Sequence, residues 1–352
     1  MPRPRLLVTL DVEEDMPEWR IADPATCENV RALPRFAELC RDLGVKPTYL
    51  CTYPVVRDPA ASAILRELVE RGDCEIGAHL HPWNTPPYLG IPGSAEDERK
   101  RAYYLRELGP ELFRKKVEVL RDAVAELIGS PPVSFRAGRF GIDAATLAEL
   151  PSLGFHVDSS VTPLVHHRED DGPDFRSAPQ IPYRPSKRNV CRRGDVPIVE
   201  LPVSVTLTRR LPRWARLVYV YLPPVTRIRG LLSRDYLGFV DFAWLYPARF
   251  DAKVMKRAAR ALRISRSPLF NVFLHSSELV AGAASPYVRT SEHADLVFAR
   301  LREILRYCIE ELGAVPQTMA ETAAEIARLP EFAFERPSVA RNGAAVTAAA
   351  AR

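Results

Sequence analysis

RLLVTLDVEED, residues 5–15, opens as an apolar run and closes in acids. The run is short, about five residues, and rich in Leu and Val, so it reads as a buried strand rather than a helix. Working outward, the same pattern recurs along the chain. Apolar runs at 46–51, 74–79, 133–137, 155–157, 197–203 and 269–274 read as further strands. Stretches at 26–43, 60–71, 95–128, 143–150, 251–263 and 292–311 read as helices. Strands alternating with helices predict parallel pairing, and therefore an α/β layer or barrel. In such folds chemistry collects at the C-terminal ends of the strands.

Two segments interrupt the rhythm. Residues 162–195 are rich in Pro, Arg and Asp and read as a long loop insertion. Residues 208–234 carry seven arginines and no acid, interleaved with Trp214, Tyr219 and Tyr221. The end, 330–352, is Ala-rich with little patterned apolar surface, which predicts a disordered tail behind one catalytic-sized domain at 1–329. At 352 residues, 47% hydrophobic and 26% charged, the chain can bury a sizeable core. Its net charge of +5 permits an anionic partner but is too mild and scattered for nucleic acid. Cys27, Cys40, Cys51, Cys74, Cys191 and Cys308 form no CxxC pair and read as free thiols of a reducing compartment. The apolar run at the N-terminus is shorter than a signal-peptide core, and no stretch has the length of a membrane span. The expected location is cytoplasmic.

Polar residues sit repeatedly where apolar runs end: Asp11 and Glu13, His79 and His81, Arg136, Asp158, and His275. If the strands are parallel, all of them open onto one rim. Carboxylates one residue apart on an extended chain point the same way, as do the two imidazoles. Such a set suits a divalent ion with an open water position, together with a general base. The competing reading of DVEED is a solvated acidic loop, because Glu14 and Asp15 follow. For HLH it is a pair of structural histidines. His275 can act as a general acid, or can bond to a helix start, since Ser276-Ser277-Glu278 also reads as a cap. Arg136 in FRAGRFG can hold a carboxylate ionised, or can stand on an ordinary turn.

In this order the motifs resemble the polysaccharide deacetylase family, carbohydrate esterase family four, typified by the chitooligosaccharide deacetylases. The resemblance covers roughly residues 4–328 and rests on TLDVE, GAHLHPW, FRAGRFG, VDSSV and FLHSS. It implies a distorted, incomplete (β/α)7-type barrel and removal of N-acetyl groups from amino sugars with a divalent metal: Zn2+ first, with Co2+, Ni2+ or Mn2+ as the other candidates. Residue by residue, it implies Asp11 as catalytic base and Arg136 as its partner. Glu13, His79 and His81 become metal ligands, and His275 a general acid oriented by Asp158. Trp83, Arg139 and Phe140 would contact substrate, with the oxyanion amide at Arg139 or Phe140. The pattern departs from the family in two places. The usual HxxxH is replaced by His79 and His81, with Trp83 at the fourth position, and Gly138 stands where Pro is usual. The HPW sequence, the middle insertion and the HSSEL ending resemble a cytoplasmic subgroup associated with surface polysaccharide or lipid-linked glycan assembly. The substrate class implied is a glycan or lipid-linked amino sugar. Release of another acyl group such as formyl, and a non-catalytic glycan-binding protein, are the alternative readings. Residues 208–234 fit either a peripheral contact with the inner membrane face or an Arg-rich hairpin packed over the barrel.

Overall fold

A computed structural model describes residues 3–17, 20–21, 25–88, 102–209, 211, 213–221, 242–282 and 285–329. The expected tail at 330–352, most of the arm at 208–234 and the start of the helix expected at 95–128 lie outside the described residues.

The strands are β1 (Arg5–Val12), β2 (Thr48–Cys51), β3 (Glu75–Leu80), β4 (Ser134–Ala137), β5 (Val157–Asp158), β6 (Pro185–Ser186), β7 (Asn189–Arg193), β8 (Val199–Glu200), β9 (Val205–Leu207), β10 (Phe242–Trp244), β11 (Leu269–His275) and β12 (Val315–Pro316). The helices are α1 (Leu33–Asp42), α2 (Tyr53–Arg57), α3 (Pro59–Glu70), α4 (Pro110–Ile128), α5 (Ala144–Glu149), α6 (Arg213–Tyr221), α7 (Ala252–Ile264), α8 (Ser291–Arg306) and α9 (Met319–Ile326). One parallel sheet runs β11-β1-β2-β3-β4-β5-β8, with β12 pairing beside β1. Near-continuous burial of β1 and β11 is what a parallel sheet covered on both faces requires.

The sheet curls on itself. Arg136 on β4 reaches Thr9 and Asp11 on β1, three strands away in the sheet order, across the interior. Between the outer strands, Ser204 and Leu245 bridge to β11 through bonds to Asn271 and Phe273. That bridge is irregular chain rather than a full ladder, so the barrel stays incomplete. Interior-facing positions follow the period-two rule. Leu7 joins Leu50, Val157, Val199 and Leu269 in an apolar layer that Met319, Ala323 and Ile326 of α9 close from below. Two and four residues beyond Leu7, Thr9 and Asp11 face the same interior and are polar.

Outside, the helices bury one stripe each. In α4 that stripe is Phe113, Val117, Leu120, Val124 and Leu127, at three- and four-residue spacing. The helix starts later than the sequence suggests. Gly109 takes φ 69 at the N-cap and Pro110 occupies the first helical position, while residues 102–109 hold only a single 3-10 turn at Leu105–Glu107. The loop insertion at 162–195 is largely irregular, but its end folds back as the β6–β7 hairpin. The helical stretch expected at 292–311 changes from α8 to a π turn at Tyr307–Glu311. In the described part of the arm, Tyr219 and Val220 of α6 bury against Leu164 and Leu207. Among the described residues no helix is long and apolar enough to cross a membrane. All six cysteines are free thiols.

Candidate active site

Strand register assembles the rim. Asp11 stands beside His275 in the β1–β11 pair, and His79 beside Arg136 in β3–β4. Because the strands are parallel, residues placed at the same height in the sequence pattern emerge on one face.

Arg136 is fully buried. Its Nη1 donates to Asp11 Oδ1 at 2.6 Å and its Nη2 to Thr9 Oγ1 at 2.9 Å and Ser159 Oγ at 2.8 Å. Its Nε donates to the Ser159 carbonyl at 2.7 Å. A buried guanidinium is tolerable only when its donors are met this way. The second Asp11 oxygen, Oδ2, lies 3.7 Å from His79 Nε2.

Glu13 lies just past the end of β1 and meets both imidazoles through one oxygen. Its Oε1 is 2.7 Å from His79 Nε2 and 2.8 Å from His81 Nε2. The ligand atoms of Glu13, His79 and His81 all lie within 4.8 Å of one another, as do those of Asp11, Glu13 and His275. Burial pushes the Glu13 carboxyl up, but His81 and His79 outweigh it and hold it well below the usual carboxylate range. For His79 burial works downward, the Asp11 and Glu13 carboxylates work upward, and the result is raised.

The tautomer of His79 carries the fit to a metal. Its Nδ1 lies 3.1 Å from the Arg136 carbonyl oxygen, which can only accept, so Nδ1 bears the hydrogen. In the neutral ring Nε2 therefore presents a lone pair to a carboxylate oxygen. Without a metal that contact is held by a proton on Nε2, in keeping with the raised imidazole; a divalent ion binding the same lone pair and carboxylate would replace that proton. A His–His–Glu donor set with one ring fixed by a backbone carbonyl would suit a divalent ion.

His81 is positioned by two neighbours. The Trp83 ring, at the fourth position after His79, packs on His81 with centroids 4.3 Å apart. On another side lies Gly138. A Cβ added there would stand 2.7 Å from Cε1 and Cγ of the His81 ring and closer still to Nδ1. The close approach therefore excludes any side chain at 138, and Pro with it.

One expected relation fails. Asp158 does not orient His275. Its carboxylate accepts from the Ser160 hydroxyl at 2.7 Å and the Ser160 amide at 3.1 Å, and packs against the Glu200 carboxyl. Alternation explains this: Val157 joins the interior layer and Ser159 meets Arg136 and Asn271 inside, so Asp158 between them turns to the opposite face, where it meets Glu200 across β5–β8. Burial first, then the Asp158 charge, push Glu200 well above its ordinary value, so Glu200 carries a proton toward its neighbour. The group on His275 is Glu278, whose Oε1 is 3.3 Å from His275 Nδ1, while Tyr246 Oη, also 3.3 Å from Nδ1, donates to Glu278. Burial lowers His275, but Glu278 first, then Glu13 and Asp11, overcome it and raise the imidazole to about 9. Glu278 also accepts from the His275 amide, so the cap legible in HSSEL is present and the same carboxylate holds the ring. Thr9 and Ser159 lie within TLDVE and VDSSV and Tyr246 in no motif, and for none of them does the sequence indicate a partner; only the closed sheet supplies it.

The acids after Glu13 are not a solvated loop. Glu14 accepts from Thr52 and Asn84, and Asp15 from Thr26, Glu28 N and Asn29. Both are buried and pin the chain on which Glu13 stands. A cleft of about 510 Å³ opens over the site, lined among others by Glu13, His81, Trp83, Arg139, Phe140 and His275.

No family model and no curated protein matches the sequence. Solved structures do. A protein from Parabacteroides distasonis assigned as a glycoside hydrolase/deacetylase aligns with TM-score 0.57 at 15% identity, over 92% of this chain and 72% of its own. Puue allantoinase aligns with TM-score 0.52 at 13% identity, over 95% of this chain and 96% of its own. The fold is the incomplete (β/α) barrel of the deacetylase kind. A protein from Mycobacterium smegmatis assigned as a polysaccharide deacetylase is also similar, at TM-score 0.49 and 17% identity over 96% of this chain and 95% of its own. The likeness to the first two, at 15% and 13% identity, is a likeness of fold alone.

Proposed function

We propose that the protein is a metal-dependent hydrolase that removes the N-acetyl group from an amino sugar of an oligo- or polysaccharide or lipid-linked glycan. The observation that carries this is the convergence of Glu13, His79 and His81, with the His79 tautomer set by the Arg136 carbonyl. A divalent ion held by those three residues, Zn2+ first by ligand chemistry, supplies the Lewis acidity that polarises an amide carbonyl and makes water acidic. The remaining roles belong to the protein. Asp11 has one oxygen occupied by Arg136 and the other directed toward the metal ligands, so Oδ2 takes the proton of the attacking water. His275, kept protonated by Glu278, gives a proton to the departing amine nitrogen. With Nδ1 held by Glu278, the proton leaves from Nε2. A backbone amide at Arg139 or Phe140 would meet the developing oxyanion, and Trp83 and Phe140, which line the cleft, would offer ring faces for a sugar. Asp158 has no step in this scheme; with Glu200 it braces the outward face of β5 and β8.

A role in surface polysaccharide assembly at the cytoplasmic membrane face is supported by the motif resemblance and by the arginines of 208–234. The test is product analysis. Zn2+-loaded protein should release acetate from N-acetyl chitooligosaccharides, and His79→Ala should lose its metal and that release together. Formate from an N-formyl amino sugar, with no acetate, would move the reading to a deformylase. Neither product, with glycan still bound, would make the protein a binding module.

A further inference from the structure

The cleft holds a charged side chain that neither metal binding nor proton transfer employs. Arg139 lines it beside Phe140 and Tyr104, one third exposed. Its backbone is left-handed, φ 55, and so is that of Phe140, φ 53. Such conformations are disfavoured for side-chain-bearing residues and persist where the surroundings over-determine them. Arg139 Nε is buried and has no hydrogen-bond partner among the described residues. The nearest carboxylate, Asp170, lies 3.6 Å away and is itself two thirds exposed. That distance is beyond a hydrogen bond, and a solvent-screened pair of this kind contributes little. The guanidinium carbon lies 5.4 Å from the Tyr104 ring centre and 5.9 Å from that of Tyr103, so aromatic faces hold the group without using its in-plane donors. A planar fork whose buried Nε is unmet and whose outer donors are partly exposed beside a reaction centre is complementary to a carboxylate or phosphate.

We propose that Arg139 forms a subsite for an anionic substituent, carboxylate or phosphate, on the amino-sugar substrate. This rests on the hydrolase reading of the same cleft and narrows its substrate class from neutral to acidic sugars. Asp170 is the internal counter-ion that the substrate anion displaces.

The experiment is calorimetric binding to metal-free protein, so that the probes cannot ligate the metal. Three probes are used: N-acetylglucosamine, N-acetylglucosamine 1-phosphate and N-acetylmuramic acid. Wild type should bind at least one anionic probe about ten-fold more tightly than the neutral sugar. A preference for the phosphate alone identifies a phosphate source, and for the acid alone a carboxylate source. Arg139→Gln should abolish the preference, and Arg139→Lys, which keeps a charge but not the fork, should restore part of it. Equal binding of all three probes, no measurable binding of either anionic probe, or a preference retained in Arg139→Gln overturns the subsite. Acetate release from the same probes by Zn2+-loaded wild type separates the two readings. Arg139-dependent binding without hydrolysis refutes the hydrolase and leaves the subsite standing, whereas hydrolysis without anionic preference overturns the subsite alone.

Discussion

Gly138→Ala should remove His81 from the metal site without replacing any ligand residue. The new Cβ would stand 2.7 Å from two ring carbons of His81, where ordinary contact begins near 3.4 Å. The ring must therefore retreat by at least ~0.7 Å, while ligand positions in metal sites hold to within about 0.2 Å. Trp83 packs on the same ring with centroids 4.3 Å apart, which leaves His81 little free space. Losing one of three protein ligands should weaken Zn2+ binding about 100-fold, which is about 3 kcal/mol. The assay is competition of the purified protein with a chromophoric chelator. Over-packing should also cost about 1–3 kcal/mol of stability in urea unfolding. A double-mutant cycle supplies the control. In a His81→Ala background the added methyl enters vacated space, so Gly138→Ala should there cost neither stability nor further metal affinity. The reasoning is refuted if Gly138→Ala binds Zn2+ within about two-fold of wild type, or if the two substitutions weaken binding additively.

Other expectations follow from the same geometry. Asp11→Asn should abolish turnover while Zn2+ still binds, measured as acetate release beside metal content; full activity would remove Asp11 from the base role. His275 is raised to about 9, so activity that needs its proton should fall as pH climbs through that value. Its raised value also adds stability below its unfolded value near 6.5, and that stability is lost as pH rises through about 9. Glu278→Gln removes the largest raising influence and should move the alkaline limb of the rate profile down by about 1–2 pH units; an unmoved limb would assign it to another group. Glu200 is buried and protonated, so in the wild type it binds a proton that the unfolded chain releases above the ordinary carboxyl range. That costs stability as pH rises. Glu200→Gln, which keeps the shape and a donor toward Asp158, should therefore be more stable than wild type at pH 8 and less distinct from it at pH 5; a less stable variant at pH 8 in urea unfolding contradicts the assignment.

What sequence alone determined here was local and periodic. Runs of Leu, Val and Phe ending in Asp11, His79, Arg136 and His275 specify strands whose polar ends share a height, because side-chain alternation and parallel register are short-range rules. From these the barrel class was legible, as was the cap at Ser276-Ser277-Glu278. The closing of the sheet was not. Arg136 meets Asp11 across 125 residues of chain, and Tyr246 meets His275 from a segment with no strand-end acid to mark it. Asp158 shows the limit most clearly. It ends a strand like the others, yet it sits between interior-facing Val157 and Ser159 and so turns outward to Glu200, and the partner of His275 comes from its own following turn. Glu14 and Asp15 look like a solvated acidic run in one dimension and are buried in three, because Thr52, Asn84 and Asn29 converge on them. Likewise the departure at His81 and the departure at Gly138 read as two separate irregularities in the chain. In the folded molecule they are one, since the ring of the first occupies the space that a side chain at the second would need.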